Sequence, residues 1–141
     1  MDMDEMNSPG TYSLGSFSIT TAGTTTGDWT TASLEGMLAM LVQLRFVYGS
    51  GGTTVRAYLQ TTIDGSVPID IACVLYGTAT ENAALNFSAL TPKTTAVVPA
   101  DGALTDDTAV DGILGESFRL KVVSTGTYAG STSLTGTVHV R

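Results

Sequence analysis

The chain is poor in the side chains on which most enzyme chemistry depends. It has one His and one Cys among 141 residues, and Asp, Glu, Lys and Arg together make up only 13% of it. A zinc site needs several His or Cys ligands, so these two residues do not suffice. The positions of His139 and Cys73 do not indicate a nucleophile and its base. We therefore predict no catalytic residues, no cofactor and no enzymatic activity.

Basic side chains are also scarce. Six Lys and Arg stand against 13 Asp and Glu, which gives a formal net charge of −7. Such a chain is poorly suited to neutralise phosphates or to approach an anionic membrane, so we expect no nucleic-acid partner and no membrane partner. The N-terminus has no basic and apolar segments typical of a secretory signal, and no run of about 18 apolar residues predicts a membrane span. We expect the protein to be made in the cytoplasm.

Threonine is abundant, with 24 copies. Because its β-branched side chain favours strands, this composition predicts sheet rather than helix. The chain is also 43% hydrophobic with a mean hydropathy of +0.23. For a small protein with so few charges, this value predicts that neighbouring copies or partners cover apolar surface, as in a homo-oligomer.

The most informative segment is residues 45–75. It contains three apolar runs, separated by the glycine-rich residues 49–52 and by Asp64 and Gly65. Asp-Gly between alternating strands is a strong hairpin signal, so this pattern predicts an antiparallel three-stranded meander. The preceding residues 34–48 have two interpretations. Their apolar spacing would suit a short amphipathic helix, but a strand from residue 37 is favoured because the run leads directly into a turn.

Alternation elsewhere predicts about eight strands in all. In the first, residues 13–21, we expect Gly15, Phe17 and Ile19 to share one face. The further alternating segments are residues 53–62, 69–75, 85–87, 118–123 and 134–140. Two longer excursions, residues 22–36 and 91–116, are typical of crossovers between sheets. We predict an all-β fold, a single antiparallel β-sandwich over residues 12–141, jelly-roll-like or Greek key in topology.

Residues 1–11 are expected to form an extended N-terminal arm. Met1, Met3 and Met6 are adaptable apolar side chains, which suggests an arm that contacts a neighbouring subunit. The alternative interpretation is a disordered tail.

Two features have both a structural and a functional interpretation. Five carboxylates lie in residues 101–116, and Asp106, Asp107 and Asp111 are candidate ligands for Ca²⁺, which prefers six to eight oxygens. Their spacing does not fit an EF-hand loop, so a solvated acidic loop is the favoured interpretation. Cys73 lies in an apolar strand pattern that predicts a buried, inert thiol.

Several short segments carry a resemblance to a known group of proteins. Together they resemble small β-sandwich proteins encoded in the structural-gene regions of tailed bacteriophages and prophages. The similar segments are residues 49–65, 70–73, 90–92, 106–115, 118–122 and 125–130. The chain departs from that pattern at residues 66–68, where the group often has a second Gly and a Trp.

The resemblance implies a non-enzymatic virion structural protein, assembled in the host cytoplasm. It favours a capsid decoration or cement protein that binds the major capsid protein or other virion proteins. A neck, collar or tail component is the alternative within the same group. A glycan-binding sandwich is a further alternative, for which an aromatic platform would be needed from Trp29, Tyr12, Tyr58 and Tyr128.

Overall fold

A computed structural model describes residues 8–29 and 36–141. Over these ranges the chain forms strands, turns and loops, without a helix. The strands are β1 (Gly10–Ser18), β2 (Gly23–Thr26), β3 (Ala39–Val47), β4 (Ser50–Gly51), β5 (Thr54–Thr62), β6 (Ile69–Tyr76), β7 (Glu81–Ser88), β8 (Thr108–Ala109), β9 (Ser117–Thr125), β10 (Tyr128–Ala129) and β11 (Ser133–Val140). The all-β prediction is confirmed.

The long strands form two antiparallel sheets. The four-stranded sheet has the order β1-β11-β3-β7, and the five-stranded sheet has the order β2-β9-β5-β6-β8. When the strands of four or more residues are counted along the chain, the first pairs with the eighth, the second with the seventh, the third with the sixth and the fourth with the fifth. This nested pairing is the jelly-roll topology, in which one long antiparallel ribbon is wound into two facing sheets.

Alternating side chains from both sheets fill the space between them. In β3, Met40, Val42, Leu44 and Phe46 are all at most 2% exposed, whereas the residues between them are exposed. The same alternation holds in β9 and β11. This is the pattern expected of strands with one face on a core and one face on solvent, and it confirms the strand interpretation of this segment from residue 39 onward.

The predicted three-stranded meander is wrong in one respect. β5 and β6 do form an antiparallel hairpin, but β3 belongs to the other sheet, between β11 and β7. The glycine-rich residues 49–52 therefore carry the chain across the sandwich. Gly52 has φ +72°, and a Cβ there would lie 2.3 Å from the ring of Tyr128. A side chain has no space at this crossing, so glycine serves a sheet change here rather than a hairpin turn.

The first strand begins at Gly10, which pairs with Val140. Residues 10 and 11 of the predicted arm therefore belong to the sheet, while Met1, Met3 and Met6 lie outside the described residues. The register shifts between Ser13 and Gly15, where a β-bulge adds one residue to β1.

The bulge changes which side chains of β1 face the core. Before the shift Leu14 faces the core and is 1% exposed, and after it Phe17 and Ile19 share the core-facing side as predicted, with Ile19 5% exposed and Phe17 partly buried. An extra residue shifts the alternation by one, so simple counting misses Leu14.

Candidate functional site

The outer face of the five-stranded sheet, directed away from the core, is covered by part of the long crossover. We call residues 100–109 the strap. Its backbone begins at Ala100, whose carbonyl accepts a hydrogen bond from Asp70 N at 2.9 Å. It ends in β8, which pairs with Ala72 and Cys73 of β6. The crossover thus returns along the sheet instead of forming a free loop.

Asp70 fixes the strap at its centre. This carboxylate is only 3% exposed and accepts hydrogen bonds from Gly102 N, Ala103 N and Leu104 N at 2.8–3.1 Å. Gln60 Nε2 donates a further bond to it at 2.8 Å. Consecutive backbone N–H groups form a concave anion-binding nest, and here the anion is a side chain of the same protein. The nest is therefore occupied internally.

A second carboxylate holds the strap to neighbouring strands. Asp101 Oδ1 accepts hydrogen bonds from Gln60 Nε2 at 2.7 Å and from Lys121 Nζ at 3.0 Å. Arg119 Nε donates to Gln60 Oε1 at 2.8 Å, and the Arg119 guanidinium lies 4.2 Å from the ring centre of Trp29. Trp29 is thus half-buried beneath a cation, and its position is that of a packing residue rather than of an open ligand platform.

The three candidate calcium ligands have separate partners. Asp106 forms a two-bonded ion pair with Arg56, at 2.7 and 3.1 Å, and Asp107 accepts Leu75 N–H at 3.0 Å. Asp111 accepts Ser88 N–H at 2.7 Å and a hydrogen bond from the Thr91 hydroxyl at 2.9 Å.

These carboxylates fasten the crossover to the sheets and do not converge on a shared point. In the described part of the chain, no group of three potential metal ligands is found. The predicted solvated acidic loop holds for Asp101, Asp107 and Glu116, which are exposed. Four of the five carboxylates of this segment nevertheless also hydrogen-bond to groups of the sheets.

Acid should weaken the hydrogen bonds that these carboxylates accept. Hydrogen bonds from Gln60 to Asp101, from Arg56 to Asp106 and from Ser88 to Asp111 hold the pKa of each carboxyl below its ordinary 3.8. Because the folded-state pKa values are the lower ones, their stabilisation is complete above about pH 4 and is lost as pH falls through those values.

We expect the free energy of unfolding, measured with urea, to be level between about pH 5 and 8 and to fall below about pH 4. In Asp106→Asn, which has no charge to neutralise at this position, the acid fall should be shallower. An equally steep fall would contradict the role of Asp106.

Cys73 and His139 lie on opposite outer faces of the sandwich. Cys73, in β6, is fully buried beneath the strap, with its Sγ 3.7 Å from Asp106 Oδ1. Burial, followed by the Asp106 charge, raises the pKa of this thiol to about 11, so it is protonated at neutral pH. His139, in β11, has its Nδ1 within 3.0 Å of the Thr11 hydroxyl. The predicted burial of Cys73 is confirmed, and Cys73 and His139 do not form a pair.

The aromatic platform required by the glycan-binding alternative is not formed. Tyr58 is 5% exposed and Tyr128 is 2% exposed. The Tyr128 hydroxyl donates to Gly77 O at 2.9 Å, and its ring packs edge-on against Phe46 and Tyr48. These rings are internal packing groups and present no shared face to a sugar.

The exposed apolar side chains of the described residues gather at one end of the sandwich. Six of the seven large ones lie in segments that join strands at the end where β5 stops and β6 starts, and we call this the apolar end. They are Leu38 (51% exposed), Ile63 (70%), Val67 (48%), Leu90 (71%), Val97 (37%) and Val98 (85%). The seventh, Leu41, is on β3.

Two depressions flank Ile63 at the apolar end. One, of about 210 Å³, is lined mainly by Ile63, Ile69, Ile113 and Leu114, and the other, of about 280 Å³, includes Val67 and Pro99. Ile63 thus lies between two open, mainly apolar depressions, and neither is an enclosed pocket.

Comparison with known proteins finds no similar sequence or structure. No family model, curated protein or solved structure matches the chain. A helix long and apolar enough to cross a membrane is not found over the ranges that the structure describes.

Proposed function

We propose that the protein is a non-enzymatic structural protein of a tailed-phage virion, and specifically a capsid decoration protein that docks on the head. The observation that carries this proposal is the apolar end, where six large apolar side chains are exposed together on a rigid jelly roll. The resemblance of residues 49–65 and 70–73 to phage structural β-sandwiches supplies the class of particle. Jelly rolls occur in viral capsids and in lectins, so the fold is compatible with this function.

The physical requirements of a decoration protein agree with the properties of this chain. Such a protein needs a stable core, a docking surface and good solubility at high local concentration, but no reaction centre. The strap is held to the five-stranded sheet by its carboxylates, and the net charge of −7 favours solubility. The apolar end supplies the surface that a neighbouring virion protein, such as the major capsid protein, would cover.

The number of copies on each virion tests the proposal. Quantitative mass spectrometry of purified particles of the encoding phage should find hundreds of copies, on the order of the capsid protein itself. Six to twelve copies would instead identify the alternative, a neck or collar ring, because such rings have few subunits. Absence from purified particles would contradict both versions.

A further inference from the structure

Among the strands that the structure describes, β7 presents the long sheet edge with the fewest of the usual protections. Each sheet ends in two edge strands: β1 and β7 in one, β2 and β8 in the other. β2 has only four residues and β8 only two, and β1 contains a β-bulge. Short strands and bulges are common devices against unwanted strand pairing. β7 has eight residues, Glu81–Ser88, in unbroken register with β3 and without Pro, Lys or a bulge.

The backbone N–H and C=O groups of β7 that point away from β3 can be identified from the hydrogen bonds between these two strands. Ala89 N donates to Leu38 O, so the odd-numbered positions of this strand direct their N–H and C=O groups toward β3. The even-numbered positions must then point outward, and Ser88 N–H is indeed bonded to Asp111 Oδ1. Asn82, Ala84 and Asn86 are all exposed, and no strand of the described ranges pairs with their side of β7.

We propose that this edge binds the same edge of a second copy, so that two β7 strands pair antiparallel about a two-fold axis. Only an extended strand can satisfy a row of free N–H and C=O groups. The register that uses all three free positions places Ala84 opposite Ala84 of the second copy and Asn82 opposite its Asn86. It forms six backbone hydrogen bonds and joins two four-stranded sheets into one of eight strands.

The side chains of β7 suit this self-pairing. Ala84 is small, so the two strands can approach closely on the axis. Asn82 and Asn86 meet as amide pairs, and each amide has both donors and acceptors. Glu81 is the only charged residue of β7 and stands at its first position, so the two carboxylates lie at opposite ends of the paired strands. No like charges oppose one another along the edge.

The pairing also has a defined end. Ser88 N–H already donates to the Asp111 carboxylate, so it cannot bond to an added strand and the pairing stops there. This limits the contact to the three free positions and favours a closed two-fold pair over an open filament. The inference concerns the isolated protein and holds whether or not the chain belongs to a virion, so it can fail independently of the proposed function.

Sedimentation velocity of the purified protein from about 1 to 200 µM tests the pairing. The wild type should show a dimer fraction that rises with concentration. Ala84→Lys places two ammonium groups on the axis and should weaken association at least about tenfold. Thr137→Lys adds the same charge to the same face two strands inward, and should leave dimerisation unchanged. A wild type that stays monomeric throughout, or an Ala84→Lys variant that dimerises normally, would overturn the proposal.

Cysteine cross-linking tests the register, because the native Cys73 is buried. With a short bis-maleimide, Ala84→Cys should form covalent dimers on its own. Asn82→Cys and Asn86→Cys should each remain monomeric alone, since their copies lie about 14 Å apart along the strand. A mixture of these two variants should cross-link, because Asn82 faces Asn86 of the second copy. Efficient cross-linking of Asn82→Cys alone, or failure of Ala84→Cys, would contradict this register.

Discussion

Phe46→Ala should lower the free energy of unfolding by about 3–5 kcal/mol, the usual range for removing a fully buried phenyl ring. Phe46 is 0% exposed and stacks on Tyr76 with ring centres 4.9 Å apart. This stack joins β3 of the four-stranded sheet to β6 of the five-stranded sheet, and Tyr128, on the short strand β10 outside both, meets Phe46 edge-on at 6.1 Å. The hydroxyls of Tyr76 and Tyr128 are fixed on Leu44 O and Gly77 O, which prevents the neighbouring rings from collapsing into the cavity.

Urea unfolding followed by circular dichroism measures this loss, and the melting temperature should fall by on the order of 10–15 °C. Phe17→Ala is the matched control, because Phe17 is only partly buried on the edge strand β1. Phe17→Ala should lower the free energy of unfolding by only about 1–2 kcal/mol, because less of this ring is buried. Equal losses for the two variants would contradict the description of the Phe46 cluster as the joint between the sheets.

The double variant Ile63→Asp, Val67→Asp should reduce binding to particles by at least about 30-fold, the effect of losing about 2 kcal/mol from a central contact. Both residues lie in the loop between β5 and β6, outside the strands, and are 70% and 48% exposed. Their replacement therefore leaves the core intact, with stability changed by less than about 0.5 kcal/mol. A carboxylate buried against an apolar partner without a counter-charge is strongly unfavourable.

Co-sedimentation of purified protein with particles that lack the chain provides the measurement. Leu41→Asp is the control, since Leu41 is also a large apolar residue, 43% exposed, but lies on the face of β3. It should bind particles as the wild type does. Undiminished binding of the double variant would exclude the apolar end as the docking surface.

Alternation along the chain predicts the strands well, because the side-chain period of a strand is a local property. In residues 39–47 the turn that follows favours the strand over the helix, and the structure places the alternating Met40, Val42, Leu44 and Phe46 in the core. Alternation does not indicate, however, to which of the two sheets the next strand belongs. Residues 49–52 are equally compatible with a hairpin and with a sheet change, and the choice depends on how β3 pairs with β11, far along the chain.

The features that define the surface were harder to predict because they are non-local. Asp70 occupies an outward position of β6 and is expected to be exposed, yet the strap backbone at residues 102–104 buries it. The apolar end likewise draws on residues as far apart in sequence as Leu38 and Val98. The start of β3 and the ends of β5 and β7 come together only in the folded jelly roll. The acidic residues 101–116 did indicate that this segment is special, but not that it fastens the crossover.

A cryo-electron microscopy map of purified particles would show both whether the protein is on the head and how it is oriented there. We expect jelly-roll density on the outside of the head, with the loop of Ile63 and Val67 facing the capsid shell. In that orientation the apolar end is covered and the outer face of the five-stranded sheet, with its strap, faces solvent. Particles without such density, or a jelly roll that contacts the shell through a broad sheet face with Ile63 and Val67 in solvent, would contradict this expectation.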